Sequence, residues 1–176
     1  MTIPNLITIA RLIMVPIVVV MIGQGLWTSA FLVFVVAGIS DAADGLIARR
    51  YHLRSELGAY LDPLADKALL VSIYVTLSVV GVLPGWLAII VVSRDVMIVS
   101  AILVSRLMDK PVEIKPLFVS KLNTAAQIAF AALVLGMMAA HDAPSRPLSW
   151  GMFVVAALTV LSAAAYLARW LRHMAG

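Results

Sequence analysis

Six stretches of mainly apolar residues, separated by short polar connections, account for most of this sequence. They cover residues 6–22, 27–47, 58–80, 85–107, 117–140 and 148–171. An α-helix rises about 1.5 Å per residue and the hydrocarbon core of a bilayer is about 30 Å thick, so each stretch can span a membrane if it is tilted. The pattern predicts an all-α polytopic membrane protein with six transmembrane helices.

The composition excludes most other classes of protein. Hydrophobic residues make up 63% of the 176 residues and charged residues 12%, against about 45–50% and about 25% in soluble domains. The chain has no cysteine, which rules out thiolate metal sites, thiol nucleophiles and a disulfide framework. No linker or repeat divides it, so we predict a single membrane domain over residues 1–176.

The distribution of positive charge predicts the orientation in the membrane. Connections 23–25 and 81–84 carry no charge, and only Arg146 lies in an expected outer loop. Eight other basic residues cluster at the second connection, the fourth connection and the carboxyl end: Arg49, Arg50, Arg54, Arg106, Lys110, Lys115, Arg169 and Arg172. By the positive-inside rule, these connections and both termini face the cytoplasm. The net charge of +4 then indicates contact with anionic lipid and no nucleic-acid partner.

We also expect no cleavable signal or transit peptide, because the first stretch lacks a basic leader and a small-residue cleavage pattern. This favours the inner membrane of a prokaryotic cell.

Four aspartates near the second connection are unusual in such apolar surroundings. Asp41 and Asp44 are three residues apart and Asp62 and Asp66 four apart, so each pair shares one face of a helix. A carboxylate inside a span costs about 2.5–3.5 kcal/mol, and four close together raise one another's pKa unless cations hold them. Lys67 alone cannot balance the charge of four carboxylates. Oxygen ligands without Cys or paired His favour Mg²⁺ or Mn²⁺.

Each aspartate pair also has a purely structural interpretation. Asp62-Pro63 is typical of a helix start, with Asp as the N-cap, and Asp41 and Asp44 would suit a membrane boundary. Either pair alone favours these interpretations. Both pairs together, on either side of a loop that contains three arginines, favour phosphate chemistry.

The aspartates also belong to a longer motif: Asp41-Ala42-Ala43-Asp44-Gly45-Leu46-Ile47-Ala48-Arg49, eight residues, Gly58, three residues, Asp62, three residues and Asp66. In residue type and spacing it resembles the motif of the CDP-alcohol phosphatidyltransferase family. The resemblance implies a metal-dependent enzyme that transfers a substituted phosphoryl group from a CDP-linked donor to an alcohol and releases CMP. It also suggests a homodimer.

The resemblance assigns roles by position. Asp41, Asp44 and Asp62 would hold the metals, and Asp66 would be the general base and a further metal contact. The nucleotide would be bound by Asn5, Thr8, Gly45, Ala48, Arg49 and Gly58.

Three further segments bear on the acceptor alcohol. The start of the chain, 4–11, resembles both phosphatidylglycerophosphate synthases and CDP-diacylglycerol-dependent cardiolipin synthases, whereas Ser93-Arg94-Asp95 and Ser120-Lys121-Leu122-Asn123-Thr124 are more similar to the latter. The former typically have a second lysine where this chain has Asn123. A phosphodiester carries less charge than a phosphomonoester, so fewer basic contacts suit phosphatidylglycerol.

The resemblance therefore favours CDP-diacylglycerol as donor and phosphatidylglycerol as acceptor, with cardiolipin and CMP as products. Glycerol 3-phosphate is the alternative acceptor. Lipid phosphate and acceptor contacts would come from Arg54, Arg94, Ser120, Lys121 and Asn123. Arg94 could instead be a buried partner of Asp95, and Lys121 a side chain that extends to the membrane surface.

A six-span cation transporter would also place carboxylates in the membrane. Its site would lie near the bilayer centre, whereas these aspartates flank a basic connection. The enzyme is therefore the preferred hypothesis, with its active site toward the cytoplasm.

Overall fold

The computed structural model describes residues 3–51, 56–108, 117–141 and 146–175, and gives the backbone alone for 3–7, 42–51, 56–64, 66, 102, 106, 146–147 and 175. The described residues form six α-helices and no strand. The helices are α1 (Ile3–Gly23), α2 (Trp27–Tyr51), α3 (Glu56–Val79), α4 (Gly85–Leu107), α5 (Phe118–Ala139) and α6 (Arg146–Ala175). Each contains most of one predicted apolar stretch, which confirms the all-α prediction for this part of the chain.

Several helices extend beyond the apolar stretches that predicted them, most clearly α2 and α6. Helix α2 continues to Tyr51, and α6 runs from Arg146 to Ala175. Arg146, which we expected in a loop, is therefore the first residue of a helix. A helix ends where its backbone hydrogen bonds end, whereas an apolar stretch ends where lipid or core contact ends, so the two boundaries need not coincide. Arg172 and His173 in the last turn of α6 also favour the helix, because cations interact well with its carboxyl end.

The two uncharged connections are closed by the same backbone motif. Gly25 and Gly81 have positive φ angles of 72° and 79°. The amide of Leu26 donates to the carbonyl of Met21, and the amide of Val82 to that of Leu77, both at 2.9 Å. These are Schellman endings, in which a glycine in the left-handed conformation lets the last carbonyls of a helix be satisfied. The glycines thus explain why these connections are so short.

The chain divides into two compact units. The first comprises Met1–Leu83 and Ala131–Pro144, and within it α1 packs against α2 and α3. Its buried apolar residues recur at helical spacing, for example Val18 and Ile22 on α1, as expected for a face turned toward a core. Pro16 lies inside α1.

The second unit comprises Pro84–Phe130 and Ser145–Gly176, and in it α4 packs against α6. These helices run parallel, because Arg94 contacts Ser162 and, further along both helices, Ser105 contacts Trp170. Helices α5 and α6 approach closely at Gly151, where a Cβ atom would lie 2.6 Å from Cε2 of Phe130. Small residues allow such close approach of helices in membranes.

Three described segments are long and apolar enough to cross a membrane: Gly85–Ser105, Phe118–Ala139 and Leu148–Met174. Shorter apolar segments occur at Thr8–Gly23, Trp27–Asp41 and Lys67–Val79. Large apolar side chains are also widely exposed, including Trp150 at 74% and Phe118 at 79%. These features indicate a membrane protein, while six complete spans and the orientation of the termini stay predictions.

Candidate functional site

The aspartate motif lies on two helices. Asp41 and Asp44 belong to α2, and Asp62 and Asp66 belong to α3. Because α3 begins at Glu56, well before Asp62, the alternative in which Asp62 starts a helix is wrong. The side chains of Asp44, Asp62 and Asp66 lie outside the described residues, so their convergence on one point stays a prediction.

The described member of the motif, Asp41, forms an ion pair that the sequence did not predict. Its Oδ1 lies 2.8 Å from Nη1 of Arg11 on α1. The Arg11 side chain is 2% exposed and that of Asp41 46% exposed. A buried guanidinium is stable only with a compensating partner, and Asp41 supplies part of that compensation. The signal in the sequence was an arginine inside the first apolar stretch, but its partner could not be chosen without the packing of α1 on α2.

The expected nucleotide contacts are only partly described. Thr8 is fully buried on α1, one helical turn before Arg11. The side chains at the other positions predicted to contact the nucleotide, and Arg54 among the expected lipid phosphate contacts, lie outside the described residues: Asn5, Gly45, Ala48, Arg49, Gly58 and Arg54.

In the second unit, Arg94 is the centre of a polar cluster. It is 4% exposed, and its Nη1 donates to Oδ1 of Asp95 at 2.6 Å. Its Nη2 donates to the hydroxyls of Ser120 on α5 and, at 2.9 Å, Ser162 on α6. The ring of Tyr166 lies 5.6 Å from Cζ of Arg94, within the range of a cation–π interaction. We call Arg94, Asp95, Ser120 and Ser162 the arginine cluster.

The arginine cluster bears on both interpretations of Arg94. The contact with Asp95 is the one expected of a buried structural pair, and the contact with Ser120 joins two predicted acceptor residues. A guanidinium has five N–H donors, and these contacts use three of them. Its Nε has no hydrogen-bond partner among the described residues. These contacts agree with a buried structural role for Arg94, and its contact with a phosphate stays a prediction.

Asn123 belongs to a second buried group one turn along α5. Its Oδ1 lies 2.9 Å from Oγ1 of Thr159 on α6, and Nε2 of Gln127 donates to the same hydroxyl at 3.1 Å. Asn123 and Thr159 are fully buried, and Gln127 is almost so. We call these three residues the amide group. The resemblance had singled out Asn123, whereas Thr159 was missed because a threonine in an apolar helix gives no distinctive sequence signal.

The hydrogen bonds of the amide group determine which way Asn123 points. The Thr159 hydroxyl has one proton, yet two oxygens lie near it: Oδ1 of Asn123, and the carbonyl of Val155 at 2.7 Å. Nδ2 of Asn123 has no hydrogen-bond partner among the described residues. The oxygen and nitrogen of an amide are nearly identical in shape. With the Asn123 amide turned over, Nδ2 donates to Thr159 and the hydroxyl proton goes to Val155, so all three contacts are satisfied together.

Lys121, the residue after Ser120, is exposed, unlike the members of the amide group. The exposed position agrees with a side chain that reaches a polar surface. Across the residues whose side chains are described, no three His, Cys, Asp or Glu side chains come close enough together to hold a metal ion.

The sequence of this chain matches the model of a known protein family. The model of the CDP-alcohol phosphatidyltransferase family matches residues 1–162, which include the aspartate motif, the arginine cluster and the amide group. The chain belongs to the CDP-alcohol phosphatidyltransferase family.

Similar members of the CDP-alcohol phosphatidyltransferase family have names of two kinds. "Cardiolipin synthase (CMP-forming)" of Homo sapiens is 36% identical, over 76% of this chain and 50% of its own. "Probable cardiolipin synthase (CMP-forming)" of Drosophila melanogaster is 38% identical, over 77% of this chain and 47% of its own. "Probable phosphatidylglycerophosphate synthase" of Mycobacterium tuberculosis is 34% identical, over 98% of this chain and 83% of its own. The chain thus spans about half the length of the cardiolipin synthases it matches.

Proposed function

We propose that this protein transfers the phosphatidyl group of CDP-diacylglycerol to a hydroxyl of phosphatidylglycerol, giving cardiolipin and CMP. The observation that carries the proposal is the complete aspartate motif inside the region matched by the family model. The names of the human and fly relatives support cardiolipin as product. The reaction would take place in the inner membrane of a prokaryotic cell, with the site toward the cytoplasm.

The aspartates suit a divalent metal by their chemistry. Carboxylate oxygens are hard ligands of the kind that Mg²⁺ and Mn²⁺ prefer, and the described contact of Asp41 with Arg11 is made through Oδ1. Asp41, Asp44, Asp62 and Asp66 would hold two ions. When bound, such ions neutralise the phosphates of the leaving CMP and polarise the phosphorus.

The chain's own residues would supply the other steps. Asp66 would take the proton of the acceptor hydroxyl, a role that contributes about 10²–10⁴-fold to rate. Arg94, held by Asp95 and two serines, would orient the phosphate of the acceptor. Lys121 would contribute a second, more mobile charge.

A glycerol 3-phosphate acceptor is the second candidate, because the mycobacterial relative has the name of a phosphatidylglycerophosphate synthase. The amide group weighs against this acceptor. Its Asn123 is neutral and fully buried, where an acceptor with a phosphomonoester would favour a further cation.

The deciding experiment offers both acceptors to the purified full-length chain with CDP-diacylglycerol and Mn²⁺, and identifies the lipid products by mass. Cardiolipin and CMP support the proposal. Phosphatidylglycerophosphate would transfer support to the second acceptor, and no CMP from either would overturn both.

Variants then test the site. Asp66→Asn should abolish CMP release but keep CDP-diacylglycerol binding, while the matched change Asp142→Asn outside the motif should leave both unchanged. EDTA should stop the reaction and Mg²⁺ or Mn²⁺ restore it. Turnover by Asp66→Asn would remove Asp66 from the role of base, and transfer that resists EDTA would argue against metal dependence.

A further inference from the structure

A groove lies between α4 and α6 within the second unit. Met97, Ile98 and Ala101 form its α4 side, and Tyr166, Leu167 and Trp170 its α6 side, with Arg169 as the one charged residue in its lining. It is shallow, encloses little space of its own and is open on one side. A ligand there would have to be slender and lie along the groove, with most of its surface at the open side.

The walls of the groove suit hydrocarbon. The indole N–H of Trp170, its one polar group, donates to Oγ of Ser105 at 2.8 Å, and the Ser105 hydroxyl donates to the Ala101 carbonyl at 2.7 Å. Both donors are thus used inside the protein, which leaves the indole ring to face a ligand. The helices that form the groove contain the candidate spans Gly85–Ser105 and Leu148–Met174, so hydrocarbon chains of the bilayer can reach it.

The charge of the groove is at one end. Helices α4 and α6 run parallel, and Arg169 lies toward their carboxyl ends, followed on α6 by Arg172 and His173 in its last turn. Tyr166 lies nearer the amino ends of the helices, beside Arg94. A guanidinium at the end of a span is a good partner for a lipid phosphate. A chain attached to that phosphate would run from Arg169 along the apolar walls toward Tyr166.

We propose that this groove binds one acyl chain of an anionic phospholipid of the surrounding bilayer, with the phosphate of that lipid at Arg169. The bound lipid is a resident ligand that the reaction does not consume. The groove is therefore a site additional to those for donor and acceptor. The site requires only a phosphate and a hydrocarbon chain, so a lipid that cannot serve as acceptor should bind.

Trp170 provides a direct measurement of binding. A full-length chain with Trp27→Phe, Trp86→Phe and Trp150→Phe keeps Trp170 as its only tryptophan. It is reconstituted into phosphatidylcholine vesicles that contain either phosphatidic acid or phosphatidylcholine with brominated acyl chains, which quench indole fluorescence on contact. Phosphatidic acid has no headgroup hydroxyl to accept a phosphatidyl group, so the readout is independent of the proposed reaction.

We expect brominated phosphatidic acid to quench Trp170 with about fivefold higher apparent affinity than brominated phosphatidylcholine. Arg169→Gln should remove this preference, while Arg172→Gln, one turn further along α6 and outside the groove, should keep it. Ala101→Phe should fill the groove and reduce quenching by both lipids. Ala164→Phe, on an exposed part of α6, is its matched control. Ala101→Leu replaces Ala101→Phe if the latter elutes as an aggregate.

Equal quenching by the two lipids in the parent protein would overturn the proposal. An equal loss of preference in Arg169→Gln and Arg172→Gln would also overturn it, because the effect would then come from general surface charge. Cardiolipin synthesis, measured in parallel on the unsubstituted chain, shows separately whether the proposed function holds.

Discussion

At the scale of single residues, the hydroxyl of Thr159 serves two buried amides, those of Asn123 and Gln127. A buried polar group that loses its partner costs about 1–3 kcal/mol, because water cannot replace the lost bond. The amide group therefore stabilises the second unit mainly by pairing these buried amides with the Thr159 hydroxyl.

Replacing the hydroxyl tests this dependence. Thr159→Val keeps the shape and removes the hydrogen bonds, so we expect the free energy of unfolding to fall by about 1–3 kcal/mol. Thr159→Ser keeps the hydroxyl, so its free energy of unfolding should fall by less. Thermal unfolding in detergent micelles measures both variants, and an equal loss in the two would show that the hydroxyl contributes no more to stability than the methyl group does.

Arg94 and Asp95 form the charged part of the arginine cluster, and both are buried. Removing one charge of a buried pair costs about 3–5 kcal/mol, because the other charge loses its compensation. We expect Arg94→Ala to lose about that much stability and Arg94→Ala/Asp95→Ala to recover part of it. The same unfolding assay completes the double-mutant cycle. Additive losses would mean that the two side chains do not stabilise each other.

Sequence reasoning identified some of these residues and missed others. Arg94 and Asn123 were predicted because they lie in segments that resemble those of the cardiolipin synthases. Thr159 and Ser162 were not, because hydroxyl residues are common there and become informative only when the facing helix is known. The pairing of Arg11 with Asp41 depends likewise on which faces of α1 and α2 meet.

At the scale of helices, glycine marks both turns and close packing. Gly25 and Gly81 were part of the predicted connections, because uncharged glycine-containing segments between apolar stretches indicate turns. The role of Gly151 could not be predicted, because it depends on the ring of Phe130 on another helix.

The packing at Gly151 leads to a paired prediction. A Cβ atom there would meet the Phe130 ring at 2.6 Å, whereas one at Gly38 on α2 would meet nothing within 4 Å. We expect Gly151→Ala to lower the unfolding free energy by about 1–3 kcal/mol through overpacking. Gly38→Ala should be neutral or raise it by about 0.5–1 kcal/mol, because alanine favours the helix. Thermal unfolding of both variants is the test, and a stable Gly151→Ala would show that the Phe130 ring moves aside easily.

At the scale of the whole molecule, apolar stretches predicted the number and order of the helices found in the described residues. The division into two units, with α5 contributing residues to each, had no counterpart in the sequence. Such a division depends on which helices pack together, and the length and hydropathy of a helix do not specify its neighbours.

The absence of cysteine from the chain makes the predicted orientation testable by single substitutions. We expect a membrane-impermeant maleimide to label Gln24→Cys and Val82→Cys from outside intact cells, because both lie in uncharged connections. His173→Cys, beside the basic residues of α6, should react only after permeabilisation. The parent chain provides the unlabelled control, and labelling of His173→Cys in intact cells would reverse the orientation.

Pro16 gives α1 a mechanical property. Proline has no amide hydrogen, so the carbonyl of Leu12 accepts no helical hydrogen bond from position 16. The helix bends more easily there than in its other turns. Thr8 and Arg11 lie on one side of this flexure, and the core residues Val18 and Ile22 on the other. The amino-terminal end of α1, which carries Arg11, is therefore expected to bend more readily than the part that packs through Val18 and Ile22.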